Sequence, residues 1–260
     1  GTQMKWMTYH SNFKFVFNTP NLHPTGQHHT CPGSGGVRPT FGVNSKRESS
    51  MSDYENEVCF ICGKPDADSV DHIPPKNIFL SKYRSLDNLI TVPAHHECNQ
   101  HYQKDDEYFR FFLTIPGYWK SELARELWDE KVIRQVLRER SAGFKKYIAK
   151  HTTSMDLGEE NLSVFLADTD RVKKEVERIA RGLFYHKTKN ILPLNFNISV
   201  DLMQPVIREK RKKLESRGEF TSKVNGIFKY YWNHSDDIPF GHMWLAFFDC
   251  VDFWILEESQ

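Results

Sequence analysis

A chain of 260 residues, 39% hydrophobic and 27% charged, is long enough to bury a sizeable core and too apolar for a disordered or fibrous protein. Its net charge of +1 excludes a globally cationic binder: residues 1–50 hold five basic side chains against Glu48 alone, leaving 30 basic against 33 acidic beyond them, so any contact with nucleic acid must rest on local basic stripes. The longest apolar run, MWLAFFDCVDFWIL from Met243, is cut by Asp249 and Asp252 and falls short of the ~20 residues of a membrane span, so a soluble protein with no membrane partner is expected.

In chain order, residues 1–50 are rich in Gly, Pro, Thr, Ser and His without helical or strand periodicity, and are expected to form a disordered leader. Met51 opens MSDYENEVCFICG in the manner of a natural start, so the leader is set aside together with Cys31. The opening GTQMKWMTYH lacks the basic start and apolar stretch of a signal peptide. Five cysteines (Cys31, Cys59, Cys62, Cys98 and Cys250) with a single CxxC pair fit a reducing compartment better than a disulfide framework, and the cytoplasm is the expected location.

A motif-rich stretch follows, with the module boundary placed at 51–117. VDHI (70–73) and LITV (89–92) read as short strands, separated by the ladder-breaking Pro74-Pro75. After Cys98, Tyr102, Phe109, Phe112 and Leu113 share one helical face, which Pro116-Gly117 ends. Residues 118–260 form a second region: helical over 121–150 (Leu123, Leu127, Ile133, Leu137, Phe144, Ile148), helical again over 169–187 (Val172, Val176, Ile179, Leu183), then strand-like in GIFKYYW (226–232) and over 242–256. The last two strands are expected to meet in a tight turn near Asp249 and Cys250, giving an α+β chain with a small C-terminal antiparallel sheet on helices.

Two patterns carry chemistry. Cys59-Phe60-Ile61-Cys62 presents two thiolates to one tetrahedral zinc, and Cys98 is the remaining cysteine of the stretch. The fourth ligand is His95, by HxxC spacing, or His101, by CxxH spacing; a redox CxxC expects a βαβ context that is absent. In Val70-Asp71-His72-Ile73-Pro74-Pro75-Lys76, Asp71 offers a hard oxygen suited to Mg²⁺ (or Mn²⁺), and His72, with an ordinary pKa of ~6.5, can take a proton from water. A divalent ion beside a general base is what phosphodiester hydrolysis requires.

These blocks resemble the HNH endonucleases of the ββα-metal fold: CxxC (Cys59, Cys62), DHIPPK (Asp71 to Lys76), NLITVP (Asn88 to Pro93), HxxCN (His95 to Asn99) and KDDEYFR (Lys104 to Arg110) occur in order. The resemblance implies a zinc-stapled ββα module with His72 as general base and Asp71 as an acidic metal ligand. It makes Asn88 the central asparagine that fixes the loop backbone, and Asn99 the third motif position, a second ligand of the catalytic ion. Because that position is histidine in the name-giving pattern, the chain is an HNN variant, and an asparagine oxygen suits Mg²⁺. The comparison also favours Cys59, Cys62, His95 and Cys98 as the zinc set over the one containing His101.

The implied function is hydrolysis of nucleic acid, with double-stranded DNA as the expected partner and phage defence or a mobile element as the setting. The competing class is a non-catalytic zinc module that binds nucleic acid or protein. Lys76, Lys104 and Arg110 are candidate phosphate contacts, with solvated charge the bland alternative; Asp105, Asp106 and Glu107 read as a solvated helix face. Basic stripes at 131–150 and 208–217 are candidate backbone-contacting surfaces, and residues 118–260 are left to position substrate, to form a homodimer or to bind a protein partner.

Overall fold

The structure, a computed structural model, describes residues 6–9, 12–18, 57–84, 89–138, 142–156, 161–193, 196, 198–202, 208–224, 226–235 and 238–257. Strands β1 (Trp6–Tyr9) and β2 (Asn12–Asn18) pair with each other inside the segment expected to be an irregular leader. The alternation of Phe13, Phe15 and Phe17 is a strand signal that the Gly- and Pro-rich remainder of that segment outweighed in the sequence reading.

The next elements lie where the sequence placed them. β3 (Ser69–Ile73) and β4 (Ile90–Ala94) form a two-stranded antiparallel ribbon, and α1 (His96–Gly117) follows at once. The region read as helical over 121–150 is broken into α2 (Glu122–Leu127), a π-helical turn at Trp128–Val132, α3 (Ile133–Leu137) and α4 (Ala142–Lys150). A hairpin not foreseen, β5 (Thr152–Asp156) and β6 (Asn161–Leu166), joins β1 and β2 in a four-stranded sheet of order β1-β2-β6-β5.

Helix α5 (Thr169–Thr188) starts at Asp168, whose carboxylate accepts the Arg171 amide at 3.2 Å, and ends at Lys189 in the left-handed region with φ 59°. After it come β7 (Ile198–Leu202), α6 (Arg208–Ser216), β8 (Thr221–Val224), β9 (Phe228–Ser235), β10 (Ile238–Phe247) and β11 (Val251–Glu257). The strands form a five-stranded antiparallel sheet of order β7-β11-β10-β9-β8. Its last turn is the expected one: Phe248 and Asp249 take φ of 52° and 55°, and the Cys250 amide donates to the Phe247 carbonyl at 3.0 Å.

Helix α1 is the spine. Tyr108 to Gly117 are buried without interruption, so this part of the helix is covered all round rather than on one face. Phe109 meets Phe247 and Phe253 of the five-stranded sheet at centroid distances of 5.4 and 6.0 Å, while Phe111 meets Phe144 of α4 and Phe165 of β6 at 5.5 and 5.4 Å. Helix α5 runs against α1 and reaches β3 and β4. It comes closest at Gly182, where an added Cβ would lie 2.5 Å from Cγ1 and Cδ1 of Ile73. The apolar cluster is continuous from Cys59 to Ile255, so the ribbon and the C-terminal sheet share one core.

Candidate metal centre and the adjoining ribbon

The CxxC turn is shaped by its own backbone. The Cys59 amide donates to the Lys64 carbonyl and the Gly63 amide to the Cys59 carbonyl, each at 2.9 Å, with Gly63 at φ +73°, a conformation glycine adopts freely. The Phe60 amide donates to the Pro93 carbonyl at 3.0 Å and so fastens the turn to the end of β4. Beyond β4, His95 stands at the N-cap of α1 and Cys98 lies within its first turn.

The ligand atoms of Cys59, Cys62, His95 and Cys98 all lie within 4.8 Å of one another, so this cluster could bind a metal such as zinc. The His95 ring decides its own tautomer: Nε2 donates to the Pro65 carbonyl at 2.9 Å, leaving the Nδ1 lone pair facing Cys62 Sγ at 3.3 Å and Cys98 Sγ at 3.9 Å. His101 is exposed, edge-on to Tyr102, and takes no part. His96 is also exposed; its amide donates to Asp68.

The electrostatics fit a cation. Burial works against ionisation of Cys62, but hydrogen bonds with the Lys64 backbone, Cys59, His95 and Cys98 outweigh it and bring the thiol down to about 7. Cys98 is pushed up to about 12, by burial and then by the neighbouring cysteines. Three thiols this close cannot all shed protons unless a positive charge sits among them, and a divalent metal supplies it.

The ribbon carries the second set of expected residues. Asp71 pairs with Val92 and His72 with Thr91 across the strands, and the pleat turns these two neighbours to opposite faces. Asp71 is 4% exposed and faces α5, where Arg178 Nη1 donates to its Oδ2. The same guanidinium donates from Nη2 to Asp106 Oδ1 and Glu175 Oε1, each at 2.5 Å, and lies over the Tyr102 ring at 4.8 Å. Three carboxylates thus surround one buried cation. Burial raises Asp71, with Arg178 opposing; Asp106 is pushed up to about 8 by burial and then by Glu175, so the cluster holds a proton at neutral pH.

This arrangement corrects the reading of residues 105–107 as a solvated helix face: Asp105 pairs with Arg171 at 2.7 Å and Asp106 joins the buried cluster. Arg178 and Glu175 were missed. Their signal was positional, since both fall beside the apolar stripe Val172, Val176, Ile179 and Leu183, where a charged residue is buried and must find a partner.

Asn99 donates from Nδ2 to the Val70 carbonyl at 3.2 Å, tying α1 to the strand one residue before Asp71. Asn88 lies outside the described residues. Lys76 is exposed on the 3-10 turn after the ribbon; Lys104 is exposed on α1 with its carbonyl accepting from Arg171 at 2.7 Å. His72 is half-buried, and burial followed by the charges of Lys76 and Arg84 lowers it to about 4. Its ring is therefore neutral at physiological pH, with a nitrogen lone pair free of a proton but less basic than an ordinary imidazole. The Cys/His cluster is the one grouping with metal-ligand geometry among the described residues.

Set against protein-family models, curated proteins and solved structures, the chain has no significant match in any of the three.

Proposed function

We propose that the chain is a metal-dependent endonuclease of HNH type, hydrolysing phosphodiester bonds in nucleic acid with double-stranded DNA as substrate, in a setting such as phage defence or a mobile element. The observation that carries this reading is the neutral His72 on a β3-β4 ribbon that leads directly into α1, with a Cys59/Cys62/His95/Cys98 cluster stapling the ribbon to the helix. In this reading zinc fills the cluster and gives a small ribbon the rigidity its own contacts cannot.

His72 takes a proton from water as that water attacks phosphorus, the bond from phosphorus to the leaving 3′ oxygen breaks, and that oxygen takes up a proton from solvent. Asn99 holds the Val70 carbonyl and with it the strand on which His72 stands. A catalytic Mg²⁺ or Mn²⁺ would stabilise charge on the phosphate and the leaving oxygen when bound; Asn99 would offer it an amide oxygen, whereas Asp71, buried against Arg178 on the face opposite His72, would first have to leave that arginine. Asn88 is assigned the loop-fixing role, and Lys76 and Lys104 backbone contacts.

A second reading, a non-catalytic zinc module that binds nucleic acid or protein, has one specific observation in its favour: Asp71 is already engaged by Arg178. One comparison separates the two. Wild type and His72→Ala, both checked for zinc, are assayed on plasmid and RNA with Mg²⁺, Mn²⁺ or EDTA. The nuclease reading expects metal-dependent cutting by wild type that falls by ~100-fold or more in the variant; equal cutting by both removes His72 from the mechanism, and no cutting of any substrate favours the binding module.

A further inference from the structure

Beyond β3 the protein gathers three cationic side chains, Arg84, Arg110 and Lys131, and leaves two of their guanidinium nitrogens unsatisfied among the described residues. Lys131, which the sequence placed on an exposed basic stripe, turns inward instead: its Nζ donates to the Phe79 carbonyl and, at 3.2 Å, to the Asn77 carbonyl, in the turn that leaves β3. Arg110 of α1 is 8% exposed, and its Nη2 donates to Gln135 Oε1. Arg84 is half-buried, in the turn after β3. The Nε atoms of both Arg84 and Arg110 are out of solvent and unpartnered. A buried guanidinium N–H without an acceptor costs free energy that a native protein rarely leaves unrecovered.

These cations act on one another. The charge of Arg84 bears on His72, on Lys131 and on Arg110 alike, and Lys131 is driven down to about 7, by burial first and Arg84 second. The acids that bear on these cations have other hydrogen-bond partners as well: Glu130 lies 3.9 Å from Lys131 Nζ but also accepts the Ser81 amide and hydroxyl, Glu107 accepts from Gln135 at 3.0 Å, and Asp106 accepts from Arg178. An oxyanion with several acceptor oxygens would satisfy both arginine Nε groups and relieve the repulsion at once.

We propose that Arg84, Arg110 and Lys131 form a phosphate-binding site beside His72, the seat of a backbone phosphodiester of the nucleic acid. The site rests on the nuclease reading for its purpose but not for its existence, because it predicts anion binding with or without cleavage. It also gives His72 a target: a phosphate held by Arg84.

The probe is inorganic phosphate, titrated into the full chain at constant ionic strength against chloride and followed by ³¹P line broadening and by thermal upshift. Arg84→Gln is the informative variant, since it removes a buried Nε that has no partner among the described residues. Arg84→Lys retains the charge, and Lys173→Gln, exposed on α5 and outside both basic stripes, controls for net charge. Phosphate should bind wild type and Lys173→Gln alike, about fivefold or more weakly to Arg84→Gln, and only about twofold more weakly to Arg84→Lys. Absence of phosphate binding by wild type, or equal binding by wild type and Arg84→Gln, overturns the site. If phosphate binding depends on Arg84 while neither DNA nor RNA is cut, the site stands and the nuclease reading falls. If nucleic acid is cut but phosphate ignores Arg84, the reverse holds.

Discussion

The molecule has two polar clusters beside its ribbon, and they solve opposite electrostatic problems. Cys59, Cys62, His95 and Cys98 have no cationic side chain hydrogen-bonded among them in the described residues; against burial, hydrogen bonds bring Cys62 down to about 7, while burial and the neighbouring cysteines push Cys98 up to about 12, a set that an external cation would hold together. Asp71, Asp106 and Glu175 are tightly buried around a cation of their own, Arg178, which donates to all three. The first cluster is open to a metal; the second is closed by an arginine. The contrast teaches that an acidic residue next to a histidine is not by itself a metal site: what matters is whether the fold has already spent the carboxylate on a neighbour.

The widest separation between the clusters should come from removing one ligand of the open one. Cys59→Ser takes a buried ligand out of the knuckle, so zinc content should fall from about one to near zero per chain and stability by more than ~3 kcal/mol. Chelation of wild type should reproduce the loss. Retained zinc and an unchanged melting temperature would mean that the two clusters do not differ in their need for an external cation.

Next in size is the closed cluster. Arg178→Met keeps much of the apolar stem but leaves Asp71, Asp106 and Glu175 buried without their counter-charge, at a cost of about 3–5 kcal/mol. Zinc content should stay near one per chain. A urea midpoint close to wild type would show that Arg178 does not hold this cluster shut.

The open cluster was legible because its chemistry is local: CxxC and HxxC each place two ligands within one turn, and the ribbon needs only to bring the pairs together. The ribbon and α1 were legible for the same reason, from short runs of β-type residues and one helical period. The closed cluster joins Asp71 to Arg178 across 107 residues, and no local period reports such a pairing. The same holds for Lys131, whose inward turn follows from a π-helical turn that breaks the helical register read over 121–150. The β5-β6 hairpin was missed because TTSMD and NLSVFL lack the aromatic alternation that marked the C-terminal strands.

A smaller effect sharpens the electrostatic half of the comparison. Asp106 titrates at about 8 in the folded chain, above the ~3.9 of an unfolded one, because of burial and then Glu175. A raised folded-state pKa contributes stability that is fully present below the unfolded value and lost as pH rises through the folded one. Wild type should therefore lose about 2 kcal/mol between roughly pH 6 and pH 9 that Asp106→Asn, which cannot ionise, does not lose. Parallel urea midpoints for the two proteins over that range would remove the shared proton from the cluster.

The smallest effect tests how α5 is seated against the ribbon at all. Gly182→Ala should gain ~1 kcal/mol in helix propensity, yet its Cβ would arrive 2.5 Å from Cγ1 and Cδ1 of Ile73, a side chain 2% exposed. Cδ1 is a free end that can swing away, but Cγ1 sits one bond nearer the strand, so relief needs either a rotated side chain in a packed core or a shift of β3 itself, at about 1–3 kcal/mol. The net change should be a loss of about 1 kcal/mol, read as a lower urea midpoint. Ile73→Val removes Cδ1 and should cost about 1 kcal/mol alone. Combined with Gly182→Ala it should cost less than the sum, because the smaller side chain yields to the new methyl. Strict additivity would place the two residues out of contact, and with them the packing that brings Arg178 of α5 to Asp71 of β3.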